Sequence, residues 1–174
     1  MIEKLRNTII PTEWGWICVL GCIAGITRMT LPQQSYRAAE LIIKSWNKYW
    51  PSLQDNETFE DLAYRVQLYF TGQKVSFPDS LILSGSPFQR LVWEYTRTVD
   101  WGTTQSYSWL AEMLHSKSYA RAVGSALMAN PIPIIIPCHR IIGIGGEMRG
   151  FGGRAGTSLK RQLLLLEGAS LHQV

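Results

Sequence analysis

The residues with the clearest chemical potential in this sequence are an adjacent cysteine and histidine, Cys138 and His139. A cysteine reacts as its thiolate, so a nucleophilic thiol needs a neighbouring base or positive charge to lower its pKa from about 8.5. Adjacent residues on a strand point to opposite faces, so we expect a bridging water to link the imidazole to the thiol unless the chain turns there. A carboxylate that orients the imidazole would complete such a relay.

The sequence around this pair favours a nucleophile at the floor of a pocket. The apolar run 132–136 leads into Pro137, and a glycine-rich segment, residues 143–156, follows. A buried segment that delivers a thiol beside a loop is typical of a functional pocket. The residues alone leave a second interpretation open, in which the thiol is a buried structural group beside a hydrogen-bonded histidine.

The other two cysteines, Cys18 and Cys22, are predicted to be structural. Three cysteines cannot all pair, and free thiols are expected in a reducing compartment. No histidine or further cysteine lies near Cys18 and Cys22, so a zinc site there is poorly supported. We expect both to be small buried side chains on a strand, and we expect neither a metal nor a cofactor.

Length, composition and charge predict one large or two small domains that can bury a real core, since 46% of the 174 residues are hydrophobic. No apolar run reaches the about 18 residues of a membrane helix, and the first six residues lack the apolar centre of a signal peptide, which predicts a cytoplasmic protein. The net charge of +4 lies in the second half: residues 1–87 carry eight basic and eight acidic side chains, residues 88–174 nine and five. This balance suits phosphate contacts but is also common on ordinary surfaces.

The first half is predicted to combine a β-hairpin with two helices. Residues 16–31 are apolar and rich in β-formers, with turn signals at Gly21 and Gly25. The apolar spacing predicts helices over 35–50 and 58–70. The buried face of the first helix is expected to hold Ala38, Leu41, Ile42 and Ser45, and that of the second Leu62, Val66 and Tyr69.

The second half is predicted to be mostly helical. Ser86, Pro87 and Gln89 form a helix-start signature, with a cap, a first-turn proline and a glutamine three residues after the cap. Ser106 and Ser118 can each cap a short helix, and two short helices joined by a tight turn suggest a helix-turn-helix. The apolar stripe of the first helix is expected to comprise Phe88, Leu91, Val92 and Tyr95; a last helix, capped by Thr157, is expected to bury Leu159, Leu163 and Leu166.

The helix predicted after Ser118 is dominated by small residues, and Arg121 is its only basic one. Such a helix can approach a partner very closely. The alternative is that the small residues merely permit tight packing between helices. The small residues are Ala120, Ala122, Gly124, Ser125 and Ala126.

The second half resembles the O6-alkylguanine-DNA alkyltransferases, also called methylated-DNA-protein cysteine methyltransferases. The resemblance is carried by Gly85-Ser86-Pro87-Phe88-Gln89 with Val92-Trp93, by Ser106-Tyr107 with Leu110-Ala111, by Arg121-Ala122-Val123-Gly124, and by the run from Asn130 to Arg140, Asn-Pro-Ile-Pro-Ile-Ile-Ile-Pro-Cys-His-Arg. It implies an α/β chain of the two-domain α+β kind, divided into residues 1–85 and 86–174. The first domain is expected to be ribonuclease-H-like, a small antiparallel sheet with helices, and the second mostly helical with a winged helix-turn-helix.

The same resemblance implies the chemistry. Cys138 would accept the alkyl group from the O6 atom of guanine, irreversibly and once per molecule. His139 would act as a base through water, Glu167 would orient His139, and Asn130 would brace the turn. Tyr107 would donate to the flipped guanine as charge develops on it.

The resemblance also implies a partner, double-stranded DNA that contains O6-alkylguanine, bound from the minor groove by a monomer. The O6 atom is reachable only after the nucleotide is rotated out of the stack, and an inserted Arg121 would fill the vacated place. A plain phosphate contact is the alternative for Arg121. The other implied DNA contacts are Ser118, Ala122, Gly124 and Tyr107, and the implied pocket residues are Pro133, Ile141, Arg154 and Trp93.

Two features depart from the family pattern. Gly153 stands where relatives carry an aromatic residue, and Arg154 where others have serine or arginine, which bears on the breadth of substrates. The first half matches only loosely, through Gly25-Ile26-Thr27.

Three other function classes compete with the methyltransferase interpretation. A non-catalytic protein that binds alkyl lesions lacks the cysteine, which is present here. A helix-turn-helix regulator reads bases with several polar side chains, whereas the small-residue helix offers chiefly Arg121. A thiol hydrolase of small molecules would turn over without DNA, and no oxyanion-hole or cofactor motif accompanies Cys138.

Overall fold

The computed structural model describes residues 4–115, 117–148 and 156–170. The chain folds as two compact units, Met1–Leu83 and Ser84–Val174, so the division lies two residues before the expected one. In the described segments no helix has both the length and the apolar character needed to cross a membrane.

A four-stranded sheet, in the order β3-β2-β1-β4, forms the first unit. β1 (Leu5–Thr12), β2 (Gly15–Cys22) and β3 (Gly25–Met29) are antiparallel neighbours, and β4 (Ser52–Gln54) pairs with β1 in parallel. The predicted hairpin is therefore present as β2 and β3, while β1 and β4 were not predicted. The sheet is mixed rather than antiparallel throughout, because a helix separates β3 from β4 and returns the chain in the direction of β1.

Helix α1 (Tyr36–Asn47) begins where predicted, because the Ser35 side chain accepts a hydrogen bond from the Ala38 amide. The predicted buried face was wrong in phase. Ala39 and Ile43 are the buried residues, whereas Leu41 is 59% exposed. Apolar spacing identifies the period of a helix but does not decide which of two neighbouring faces is buried. Packing against the buried Cys18 of the sheet buries the face with Ala39 and Ile43.

Helix α2 (Glu60–Phe70) follows a 3-10 turn at Glu57–Phe59. It buries Leu62, Val66 and Tyr69, as predicted.

The second unit is mostly helical. It contains α3 (Pro87–Thr96), α4 (Tyr107–Met113), α5 (Ala120–Met128) and α6 (Gly156–Leu166), with a parallel pair of two-residue strands, β5 (Gln105–Ser106) and β6 (Ile141–Ile142). This division into a small sheet unit and a helical unit confirms the predicted fold class.

The start of α3 is the predicted one. Ser86 and Gln89 form a capping box, each side chain bonding the backbone of the other residue, and Pro87 opens the helix. The buried stripe consists of Val92, Trp93 and Thr96, whereas the predicted stripe included Leu91, which is 45% exposed.

Helices α4 and α5 pack against each other and against α3 as the predicted helix-turn-helix. Ser106 caps α4 by accepting from the Trp109 amide. The predicted cap at Ser118 is wrong: a 3-10 turn occupies Lys117–Tyr119, so that Tyr119 takes the cap position of α5 without a side-chain bond.

Helix α6 also differs from its prediction. It is described from Gly156, so Thr157 lies in its first turn instead of capping it. Leu163 is buried as predicted, but the same face also buries Lys160 and Leu164. A lysine on a buried helix face requires polar partners, and these lie at the site described next.

Candidate active site

Cys138 sits in a tight double turn and not on a strand. Pro137 has φ −81° and ψ 61°, and the Cys138 amide donates to the Ile136 carbonyl at 2.8 Å, which is an inverse γ-turn. A 3-10 turn, Cys138–Arg140, follows immediately. We expected the side chains of Cys138 and His139 to point to opposite faces because we assumed extended backbone. The turn means that this geometric constraint does not apply.

The side chain of Asn130 closes this turn. Its Oδ1 accepts from the Ile132 amide at 3.0 Å, and its Nδ2 donates to the Ile136 carbonyl at 2.9 Å and to Cys138 Sγ at 3.1 Å. One amide therefore holds both ends of the segment that precedes the thiol, and the same amide supplies an N–H to the sulfur. Asn130 is the residue to which the resemblance assigned the bracing of this turn.

His139 and Glu167 form a fully buried pair. The distance between His139 Nε2 and Glu167 Oε1 is 2.8 Å, and neither side chain is exposed. Arg140 completes the cluster by donating from Nε to Glu167 Oε2 at 2.8 Å and from Nη1 to the Val99 carbonyl at 2.6 Å. Arg140 was part of the sequence motif but had been given no role.

The end of α6 places Glu167. The Ala169 amide donates to the Leu164 carbonyl at 2.9 Å and the Gly168 amide to the Leu165 carbonyl at 3.0 Å, the two bonds of a Schellman cap. Gly168 has φ +70°, the left-handed conformation that this cap requires. Glu167, the last residue before it, is thereby turned toward His139.

A glycine also lets the backbone approach the carboxylate. The Gly102 amide donates to Glu167 Oε2 at 3.3 Å. A Cβ at Gly102 would lie 2.8 Å from the Glu167 carbonyl oxygen, closer than van der Waals contact allows.

The electrostatics of the pair favour a charged carboxylate and a neutral imidazole. Burial raises the pKa of Glu167, but the hydrogen bond and charge of His139, followed by those of Arg140, outweigh it and lower the pKa to about 2. Burial lowers the pKa of His139 below its ordinary 6.5, although Glu167 acts in the opposite direction. At neutral pH the imidazole can therefore accept a proton.

Lys160 is the functional residue that the sequence analysis missed. Its fully buried ammonium donates to the Ile141 carbonyl and, at 3.5 Å, to the Tyr107 hydroxyl. Burial lowers its pKa to about 8, against the opposing effect of Cys138. A signal existed in the sequence: Lys160, Leu163 and Glu167 are spaced i, i+3 and i+7, so both ionisable residues extend the apolar face of α6.

Cys138 itself is 6% exposed. Burial raises the pKa of its thiol, while the hydrogen bond from Asn130 and the charge of Lys160 lower it. The resting thiol therefore holds its proton. Once a base removes that proton, Asn130 and Lys160 stabilise the thiolate.

A cavity of about 480 Å³ opens beside Tyr107 in the second unit. Among the described residues it is lined by Tyr107, Ser108, Ala120, Arg121, Gly124, Met128, Gly143, Ile144 and Glu147. Tyr107, Arg121 and Gly124, to which the resemblance assigns DNA contacts, therefore lie around one cavity. Ala122 and Ser118 are exposed, on α5 and on the turn before it.

Three residues assigned to the pocket by resemblance do not appear among its described lining. Pro133 and Ile141 are buried, and Trp93 is buried between α3 and α5. The Trp93 indole donates to the Ala126 carbonyl at 2.9 Å, which ties the two helices together. Arg154, the fourth, and Gly153 lie outside the described residues.

The remaining thiols lie in the first unit. Cys18 and Cys22 are free and buried on β2, as predicted, and Cys18 Sγ donates to the Ala39 carbonyl at 3.3 Å. Over the described ranges, no three histidine, cysteine or acidic side chains gather in a group that could hold a metal ion.

Two family models together span almost the whole chain. The ribonuclease-like domain of 6-O-methylguanine DNA methyltransferase matches residues 5–81, and the DNA binding domain of 6-O-methylguanine DNA methyltransferase matches residues 87–169. The chain belongs to the 6-O-methylguanine DNA methyltransferase family. The resemblance found in the second half is thereby confirmed, and family membership extends to the first half, where the motifs matched only loosely.

Individual relatives agree with this assignment. The chain is 37% identical over 149 residues to a methylated-DNA--protein-cysteine methyltransferase of Mycobacterium leprae, an alignment that covers 86% of this chain and 82% of that relative. It is 42% identical over 123 residues to the Sulfolobus acidocaldarius protein of the same name, covering 69% and 74%. A crystal structure of Mycobacterium tuberculosis OGT in complex with DNA superposes with a TM-score of 0.77 at 33% identity, covering 94% of this chain and 92% of that one.

Proposed function

We propose that this methyltransferase repairs DNA directly, by moving the alkyl group from the O6 atom of guanine in a duplex to Cys138 Sγ. The observation that carries the proposal is the buried arrangement at the turn. A thiol that accepts a hydrogen bond from Asn130 is followed directly by an imidazole that is paired with the buried carboxylate of Glu167. Family membership supplies the substrate class.

The residues support a balanced transfer. His139 takes the thiol proton, directly or through water, and Glu167 stabilises the imidazolium that forms. The thiolate attacks the alkyl carbon, the C–S bond forms, and the bond from carbon to O6 breaks with its electron pair left on guanine. Tyr107, whose hydroxyl lies 3.5 Å from the Lys160 ammonium, protonates the departing base. The Lys160 ammonium can return a proton to the Tyr107 oxygen, so proton donation by Tyr107 requires no solvent access.

The product explains why one molecule acts once. A thioether has no good leaving group and no hydrolytic route back to the thiol. The protein is therefore consumed as a reagent, and one monomer suffices for each lesion. We place it in the cytoplasm, because the reaction requires a reduced thiol and access to DNA.

The DNA-binding surface is proposed to be the exposed side of α5. Arg121 lines the cavity at the start of this helix, and the small residues after it let the helix sit close to a groove. Arg121 enters the stack as the target nucleotide rotates out, which offsets part of the few kcal/mol that unstacking costs.

The proposal is tested by mass spectrometry of the intact protein and of its peptides after incubation with a duplex that contains one O6-methylguanine. We expect a gain of one methylene on the Cys138 peptide, saturating at one per molecule, and no gain with undamaged duplex. Lesion binding without an adduct would instead identify a lesion-binding protein that performs no chemistry. An adduct on Cys18 or Cys22 would contradict the assignment of the acceptor.

Replacing Lys160 by methionine tests the proposed support of the thiolate. The change removes a positive charge that acts on Cys138. We expect the rising limb of the rate of transfer against pH to move to higher pH and the rate at pH 7 to fall severalfold, because the thiolate loses a positive charge that lowers the pKa of Cys138. The rate of iodoacetamide alkylation of Cys138 without DNA, measured over the same pH range, must shift likewise; an unchanged alkylation profile would show that Lys160 acts only on structure.

A further inference from the structure

The second unit exposes two large apolar side chains on one cavity. Met128 is 76% exposed and Ile144 is 72% exposed, more than any other large apolar residue in the described part of this unit. Both line the cavity that also contains Arg121 and Tyr107. Isolated exposed apolar residues need no explanation, but two at the rim of one functional cavity do.

Their positions continue the proposed DNA-binding face. Arg121 and Met128 are seven residues apart on α5, which is two helical turns or about 10 Å along the axis. Gly124 and Ser125 lie between them on this face, and their small side chains let the helix approach a groove closely. Ile144 begins the 3-10 turn Ile144–Gly146, so a second element contributes to the cavity rim.

We propose that Met128 and Ile144 contact the deoxyribose walls of the minor groove on either side of the rotated nucleotide; this inference rests on the proposed function. The walls of that groove present sugar C–H groups, which a thioether or a branched alkyl side chain covers without needing a charge. Arg121, next to them, supplies the cationic contact. The pair, called here the apolar rim, thus adds the part of DNA affinity that salt does not screen.

The test uses substitutions that preserve shape and remove apolar surface, Met128→Gln and Ile144→Thr, singly and together. Dissociation constants for a lesion-containing duplex are measured at several salt concentrations. Each single change is expected to weaken binding by about fivefold and the double change by more than tenfold, consistent with partial burial of one apolar side chain each. The slope of log K against log salt is expected to stay unchanged, because apolar contacts release no counterions.

Ile23→Thr is the matched control. Ile23 is the same residue type at 74% exposure, but it lies in the first unit, in the turn between β2 and β3. It is expected to bind DNA as the native protein does. Because all three positions are exposed, the variants are expected to keep the native melting temperature.

The outcomes distinguish the proposed role of the apolar rim from the proposed repair function on which it rests. If the native protein acquires a methyl group on Cys138 and the double variant binds as tightly as the native protein, the apolar rim is wrong and the repair function stands. A salt slope that decreases with each substitution would also overturn it, since the contacts would then be electrostatic. If the native protein neither binds the duplex nor gains an adduct, both proposals fall together.

Discussion

Cys138→Ser is expected to remain unmodified by a duplex containing O6-methylguanine, with transfer slower by at least about a thousandfold. A hydroxyl is a far weaker nucleophile than a thiolate, and neither Lys160 nor His139 can ionise it to a useful extent at neutral pH. Binding of the lesion should persist with a dissociation constant within about threefold of the native value. The serine oxygen can still accept from Asn130, which donates to Cys138 Sγ at 3.1 Å in the native turn.

Intact mass after single-turnover incubation measures the first effect, and fluorescence anisotropy with labelled duplex measures the second. Cys22→Ser is the matched control, because it removes a free buried thiol from the first unit. That variant should still gain one methyl group per molecule. Methylation of Cys138→Ser at the native rate would rule out Cys138 as the acceptor.

Glu167→Gln is expected to slow transfer by about a hundredfold and to destabilise the fold by about 3 kcal/mol. The substitution keeps the size and one carbonyl oxygen but removes the buried negative charge that His139 and Arg140 share. The imidazole then loses the group that stabilises its protonated form, and the partly buried Arg140 guanidinium loses its counter-charge. Single-turnover kinetics and urea unfolding at pH 7 measure the two effects.

The stability effect has a defined pH dependence. The pKa of Glu167 is about 2 in the folded protein against an ordinary 4.5, so the folded state binds its proton less readily than the unfolded state. Its contribution is therefore complete above about pH 4.5 and is lost as the pH falls toward 2. The difference in unfolding free energy between native protein and Glu167→Gln should be largest at pH 7 and should shrink in acid.

Glu94→Gln provides the comparison, because Glu94 is an exposed carboxylate on α3. It should change stability by less than about 0.5 kcal/mol and leave the transfer rate unaltered. If Glu167→Gln reacts at the native rate, the proposed proton relay is wrong, whatever happens to stability.

The positions of the helices were predictable because their signals are local. The Ser86 capping box, the Ser106 cap and the spacing of Leu62, Val66 and Tyr69 each depend on residues within one or two turns. Strand β4 was missed for the opposite reason, because it is only three residues long and joins β1 from more than forty residues away. Strand β1 is a different case, since it forms a local hairpin with β2 across Glu13 and Trp14 that the sequence analysis did not predict.

At the site, the resemblance named the thiol, the imidazole and two supporting residues, Glu167 and Asn130, but it did not name Lys160 and gave Arg140 no role. Lys160 looks like a surface residue in a helix until the fold buries it against Tyr107 and the Ile141 carbonyl. Trp93 was assigned to the pocket because it accompanies the motif, yet its indole bonds the Ala126 carbonyl within the helix packing. Resemblance thus located the residues, while their contacts depend on elements distant in sequence.

The cap at the end of α6 has a consequence for reading mutational data. Gly168 has no side chain that could take part in the reaction, and the space where a Cβ would point is open. Any other residue there would still have to adopt φ +70° at a cost of about 1 kcal/mol or release the cap. Releasing it would swing the Glu167 carboxylate away from its partners. A screen for inactive variants would then identify Gly168 as a catalytic residue. Its contribution is only the backbone conformation that ends α6 and orients Glu167.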